Sequence, residues 1–342
     1  MKSKNIKLVI SILVFLCLLV SINLNAQQRI EYWKDSNALL QDQASLIFEH
    51  SYKILDNYPP DTIINNERKL ALLSIDALLH DTRLDNGIAF KTYMSNITNN
   101  VVAKLKEDKP KGNQIRFFRF YNHGFIVQSA STTVAIDIIR GGTEIDPFVD
   151  EKTIQSIVDQ CDILFISHSH ADHADSLVAK MFCEQKKDVI VPEILWQNMG
   201  PHLKVLRGNK LKKEIIKLPF KNTYLTASIY PGHQGKVSNN VYAITLAEGK
   251  TIMHTGDQDF SVPLIEAFKN IKIDVLLVHC WMMPMYEFVS GINPTLVISG
   301  HENEIGHHTI DHREAYWLTF SRLSGIPSPF IVMACGEFYT IY

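Results

Sequence analysis

The sequence predicts an α/β fold, a layered sheet-and-helix domain preceded by a helical extension. Three features lead there. Apolar residues recur at helical spacing in the first third. β-rich runs follow in quick succession from Gln114, and short apolar strands then alternate with helical stretches. With 342 residues, 20% of them charged, the chain is long enough for a full core and has ordinary globular composition.

The start differs from the rest. Lys2, Lys4 and Lys7 precede an apolar run from Leu8 to Ile22, and Ala26 follows at a plausible cleavage point. A charged segment, a short apolar segment and a small residue are the parts of a secretory signal, and this run is shorter than the roughly 20 residues of a spanning helix. We therefore read residues 1–26 as a signal peptide. The mature protein is expected to be periplasmic or extracellular, with no stable membrane anchor. Cys17 follows the bulky Phe15-Leu16, which speaks against lipidation. Losing residues 1–26 removes three lysines and no acid, leaving 31 basic against 36 acidic residues. A nucleic-acid binder usually carries a basic excess or stripe. The densest basic run, Lys210 to Lys213, reads as a solvated turn, so no nucleic-acid partner is expected. Export permits disulfides, but Cys161, Cys183, Cys280 and Cys335 are scattered and their spacing defines no pairing.

Residues 27–112 form the helical extension. Helical periodicity is clear in Ala44–Phe48 and Leu70–Leu79, and Pro59-Pro60 separates the two. Asn-rich Asn96–Asn100 and the charged 104–111 stretch read as its end. A packing or self-association role suits it better than catalysis, so a homo-oligomer through these helices is an expectation. Residues 113–342 form the layered domain. Ile115–Phe120, Phe125–Gln128 and Thr133–Ile139 read as consecutive antiparallel strands. Cys161–Ile166 is a buried strand, as are Val189–Val191, Thr226–Tyr230, Val241–Leu246, Thr251–Met253, Val275–Val278, Leu296–Ile298 and Phe330–Met333. Helical stretches include Asp175–Glu184 and Asp311–Leu323.

The segment Ser167-His-Ser-His-Ala-Asp-His173 carries the chemistry. Three histidines and a carboxylate leave the end of a buried strand within six positions. On a helix, residues two apart do not share a face, whereas a loop can converge them on one point. Imidazole and carboxylate together suit zinc and similar divalent metals. Three further candidates, His233, Asp257 and His301, each follow a short apolar strand and sit beside a glycine that permits a tight turn.

The order HxHxDH, His, Asp, His resembles the metallo-β-lactamase superfamily over about residues 114–342. The resemblance implies an αβ/βα four-layer sandwich with the site at one edge of the two sheets. It implies that His168, His170 and His233 hold one divalent ion, that Asp172, His173 and His301 hold a second, and that Asp257 bridges them. Asp137 would support the metal loop. Zinc is the first expectation, with manganese and iron accepted by the same donors. Asp257, in place of a cysteine ligand, together with Tyr121–Phe125 and Thr255–Asp257, is similar to the ascorbate-phosphate lactonase-like and N-acyl phospholipase D-like branches. The implied activity is hydrolysis of a small ester, lactone or phosphodiester by a metal-bridging hydroxide, with Asp172 also steering a proton. The alternatives are a non-catalytic exported binding protein of the same fold and a nucleic-acid phosphodiesterase. His279, Cys280, Trp281 and the methionines behind them form a candidate substrate wall. His123 is a candidate to face the site. Glu302, Glu304, His307, His308 and His312 are candidates to support the ligands.

Protein recovered from its native host should begin after Ala26. N-terminal sequencing checks this, and mature protein still starting at Met1 refutes the signal.

Overall fold

The computed structural model describes residues 36–141, 147–305 and 313–342. The expected signal segment lies outside them, as do His307, His308 and His312. Among the described residues no helix is long and apolar enough to cross a membrane.

Two seven-stranded sheets face one another. The first has the order β14-β1-β2-β3-β4-β5-β6, with β1 (Ile115–Arg119), β2 (Phe125–Gln128), β3 (Thr133–Ile136), β4 (Ile163–Phe165), β5 (Val189–Val191), β6 (Leu203–Val205) and β14 (Phe338–Ile341). The second runs β13-β12-β11-β10-β9-β8-β7. Its strands are β7 (Lys212–Lys217), β8 (Tyr224–Gln234), β9 (Val237–Thr245), β10 (Thr251–His254), β11 (Val275–His279), β12 (Leu296–Gly300) and β13 (Phe330–Ile331). Alternate side chains explain the layers. Phe117, Val127, Val134, Phe165, Tyr242 and Leu277 meet between the sheets, whereas Phe118, Ile126, Ala135, Leu164 and Leu276 face the helices. Strands covered on both faces read as continuous apolar runs, which is why the sequence shows them as such. This is the α/β sandwich that the resemblance implied.

The helices are α1 (Ser36–Asn57), α2 (Asn66–Leu79), α3 (Ile88–Leu105), α4 (Glu151–Gln160), α5 (Ser176–Glu184), α6 (Val262–Phe268), α7 (Met285–Ile292) and α8 (Tyr316–Leu323). The first three share one apolar cluster with the outer sheet faces. Phe90 of α3 meets Phe148 edge-on at 5.2 Å, and Gln128 of β2 donates to the Leu105 carbonyl at 3.2 Å. Arg68 of α2 is paired with Glu337 at 2.6 Å.

Several local expectations need correction. The asparagines at 96, 99 and 100 do not end the helical unit, because α3 runs on to Leu105. Its buried stripe of Phe90, Tyr93, Met94, Ile97, Val101 and Leu105 outweighs the weak helix propensity of asparagine. Lys212 and Lys213 lie in edge strand β7 rather than a turn, a placement in which lysine discourages further pairing. β8 continues to Gln234 through pairing with β9, so His233 sits within a strand rather than after one. The four cysteines among the described residues are free.

The layer between the sheets should dominate stability. Phe117→Ala, at a fully buried position, is expected to cost about 3–5 kcal/mol. Leu46→Ala, at a site 67% exposed, should stay within about 0.5 kcal/mol. Urea midpoints at unchanged slope measure both.

Candidate metal centre

β3 and β4 run parallel, as do β10, β11 and β12. Their C-terminal ends therefore open on one edge, and the loops leaving them carry the candidate ligands. Asp137 follows β3, and the 167–173 segment follows β4. Asp257 follows β10 and His301 follows β12.

Asp137 organises the first loop. Its backbone is left-handed, with φ of 48°, and its carboxylate is fully buried. It accepts from Ser167 N at 2.7 Å, from Ser167 Oγ at 2.6 Å and from His173 Nδ1 at 2.8 Å. Nδ1 of His173 must then carry the hydrogen, which leaves Nε2 as the bare donor atom pointing at the cluster. The second sheet braces the same loop, for Asn240 N donates to the Ser167 carbonyl at 2.8 Å and Tyr242 Oη to that of Ile166 at 2.7 Å.

Asp257 is placed by a turn that needs Gly256. Gly256 has φ of 52°, and a Cβ there would lie 2.2 Å from Asn239 Oδ1 and 2.5 Å from Ser167 Cβ. Asn239 then accepts from Asp257 N at 3.1 Å and donates to the Thr255 carbonyl at 2.9 Å. His254 donates through Nε2 to the His123 carbonyl at 2.9 Å and accepts from Gly256 N at 3.1 Å. Gly300, beside His301, serves closeness rather than φ, since a Cβ would come within 2.2 Å of His123 Nδ1.

Six of the seven candidate ligands come together. His173 Nε2 lies 3.1 Å from Asp172 Oδ2 and 3.2 Å from Asp257 Oδ1, and His301 Nε2 lies 3.2 Å from Asp172 Oδ2 and 3.4 Å from Asp257 Oδ2. His168 Nε2 is 3.7 Å from Asp257 Oδ2. The donor atoms form two groups that share Asp172: one of Asp172, His173, Asp257 and His301, the other of His168, His170 and Asp172, with members of each within 4.8 Å of one another. His170 is exposed, its ring 4.7 Å from that of His168. His233 stands apart, with its side chain 60% exposed and Nδ1 3.3 Å from Asp259. The reason is the continued β8–β9 pairing that carries residue 233 along the strand.

The donor chemistry fits a cation. His168 Nε2, His173 Nε2 and Asp257 Oδ1 are buried and have no hydrogen-bond partner among the described residues, and such convergence is costly unless a charge satisfies it. Burial would raise the Asp257 carboxyl, yet His173 and His301 hold it well below the usual range. Burial works against the His173 imidazolium, but Asp257 and Asp172 outweigh it and hold its pKa well above normal. His301 behaves alike, through Asp257 and its bond to Asp172. His168 is pushed down to about 3, by burial first and then by His173.

Around this cluster lie residues that sequence reasoning underweighted. Asn122, with φ of 52°, donates from Nδ2 to Asp172 Oδ2 at 2.8 Å. Asn239 and Asn240 were also missed; their signal was a pair of asparagines inside a β-rich run, where asparagine is disfavoured. His123 is fully buried beneath the cluster, its ring 4.1 Å from that of His254 and 6.3 Å from that of His173. His279 donates from Nε2 to the Gln258 carbonyl at 3.0 Å, and burial pushes its pKa down to about 4. Trp281 covers it at 4.1 Å and meets His301 edge-on at 5.8 Å. Glu302 is taken up by Arg119 at 2.6 Å and by Thr319. Glu304 is pushed up to about 7, by burial first and then by Asp172.

A model described as the β-lactamase superfamily domain matches residues 120–301. The fold is similar to that of a metallo hydrolase from the archaeon Ignicoccus hospitalis, at 17% identity and a TM-score of 0.50, over 67% of this chain and 99% of that one. It is also similar to that of a possible metal-dependent hydrolase from Veillonella parvula, at 13% identity and a TM-score of 0.51, over 66% and 99%. No curated protein matches the chain.

Asp137→Asn keeps a residue tolerant of left-handed backbone but leaves one acceptor oxygen for three donors. It should weaken divalent-ion affinity by about 10–100-fold. Competition against a chromogenic chelator checks this, and native affinity in the variant would show that Asp137 does not orient His173.

Proposed function

The chain belongs to the β-lactamase superfamily, and on that premise we propose that it is a metal-dependent hydrolase that cleaves a small ester, lactone or phosphodiester at a two-ion centre. One observation carries the reading: Asp257 lies within reach of both donor groups, Oδ2 at 3.7 Å from His168 and Oδ1 at 3.2 Å from His173. A single tetrahedral ion uses four donors, fewer than converge here. His168 and His170 would hold one ion, Asp172, His173 and His301 the other, and Asp257 both. His233 is proposed as a further donor to the first. A pair of divalent ions, zinc first among them, would supply an acidified water and Lewis acidity towards the substrate oxygen.

The chain's own residues do the rest. Asp172, oriented by Asn122, is placed to take up or return a proton beside the cluster. Nδ1 of His279 is an acceptor without a partner among the described residues, because Nε2 is committed to Gln258. Trp281, packed over the buried His279, forms a wall that orients an apolar portion of the substrate. Gly256–Asp257 and the Tyr121–Phe125 turn support placement near the lactonase-like and phospholipase D-like branches. The lysine-rich start and short apolar run support export, and the acidic mature charge disfavours a nucleic-acid substrate.

The native protein should bind two divalent ions per chain. Asp257→Ala is expected to lose one ion and nearly all turnover, whereas His279→Ala should lose about 10–100-fold in kcat/KM, as residues supporting ligands typically do. Elemental analysis, kcat/KM on a panel of lactones, phosphodiesters and carboxyl esters, and circular dichroism are the measurements. Near-normal turnover with two ions in Asp257→Ala would overturn the bridging role, and unchanged stoichiometry in His233→Ala would remove that residue from the donor set.

A further inference from the structure

The family match begins at residue 120, past the three N-terminal helices, yet one of those helices reaches the loop that carries His301. Asp76, near the end of α2, is buried, and among the described residues no arginine or lysine pairs with it. Its Oδ1 accepts from Asn303 Nδ2 at 2.8 Å and from Tyr316 N at 2.9 Å, and Oδ2 accepts from Trp317 N at 3.3 Å. Ala315, the residue before α8, supplies no side-chain cap, so a carboxylate from another helix caps α8 instead.

The loop it grips is conformationally costly. His301 has φ of 72° and Asn303 has φ of 55°, two non-glycine residues in left-handed backbone within three positions. Such conformations persist only where the surroundings over-determine them. His301 is held by its own N–H on the Asn122 carbonyl at 3.0 Å, and by Cys280 Sγ donating to its carbonyl at 3.3 Å. Asn303 is held by its N–H on the Glu314 carbonyl at 2.9 Å and, through its side-chain Nδ2, by the Asp76 carboxylate at 2.8 Å. Glu302, between them, is fixed by Arg119 and Thr319. Removing Asp76 frees the Asn303 side chain and the start of α8 together.

We propose that Asp76 is a positioning residue for the metal centre: through Asn303 and the first turn of α8 it fixes the left-handed loop that aims His301 at Asp172 and Asp257. The N-terminal helical layer is then part of the site's architecture as well as of the fold. This rests on the metal-centre reading above, and the native chain's own ion uptake separates the two.

The test compares Asp76→Ala, Asn303→Ala and Arg68→Gln in the full mature chain, with zinc alone as the probe. Arg68→Gln also loosens α2, through loss of the Glu337 pair, but leaves the His301 loop bonded as it is. Asp76→Ala, which removes both acceptor oxygens, and Asn303→Ala should each weaken the more weakly held zinc by about 10–100-fold, while the folded Arg68→Gln variant binds zinc as the native chain does. Asn303→Ala cuts the same link from the loop side, so a failure of Asp76→Ala to fold still leaves the proposal open to refutation. Native zinc affinities in Asn303→Ala, or equal losses in Arg68→Gln, would overturn the role of Asp76. A native chain that takes up no zinc would overturn the metal centre and this proposal with it.

Discussion

The arrangement of the site depends on the buried carboxylate of Asp137. It stands at the end of a central strand and gathers three donors from the next strand's loop, and it could not do so if β3 and β4 were not adjacent and parallel. By taking the Nδ1 hydrogen of His173 it decides which ring nitrogen faces the cluster. By taking both the N–H and the hydroxyl of Ser167 it decides where His168 begins. Burying an anion fully is unfavourable unless its lone pairs are met, and here each bond that meets them also orients a ligand.

The same economy recurs around the edge of the sandwich. Asn239 and Asn240 sit side by side on β9, and one holds the turn before Asp257 while the other holds the 167–173 loop. Asn122 joins the first sheet's opening turn to Asp172 by its side chain and to His301 by its carbonyl. The side-chain amides of Asn239 and Asn122 and the backbone N–H of Asn240 thus tie four loops from two sheets together without adding charge to a region already crowded with carboxylates. Left-handed backbone at Asn122, Asp137, His301 and Asn303 marks the same region, and strained residues of this kind gather where geometry serves function rather than stability.

Much of the centre was legible in the sequence because its parts are local. The HxHxDH spacing, the strand before it and the placement of Asp257 and His301 after apolar runs are short-range patterns, and the chain's periodicity is enough to read them. Glycine at position 256 was readable too, although glycine at 232 and 300 proved to serve space rather than φ. His233 shows the limit of such reading. A strand end inferred from apolar residues alone stopped at Tyr230, whereas hydrogen bonding to β9 carries the strand on to Gln234 and leaves the histidine against Asp259. The asparagine-rich stretch of α3 shows it again, because a buried stripe set by contacts with distant residues overrode a local preference.

What the sequence by itself determined is the set of donor types, their order, and the α/β alternation that brings strand ends to one edge, all of which follow from side-chain chemistry and from periods of 2 and 3.6 residues. What only the tertiary structure decided is which partners complete them. Asn122, Asn239, Asp76 and Asn303 are unremarkable in the chain and acquire meaning through neighbours up to 240 positions away. Hydrogen bonds between remote residues leave no periodic trace in either partner's surroundings. They exist only once two sheets and the helices packed on them have brought donor and carboxylate to within 3 Å of each other.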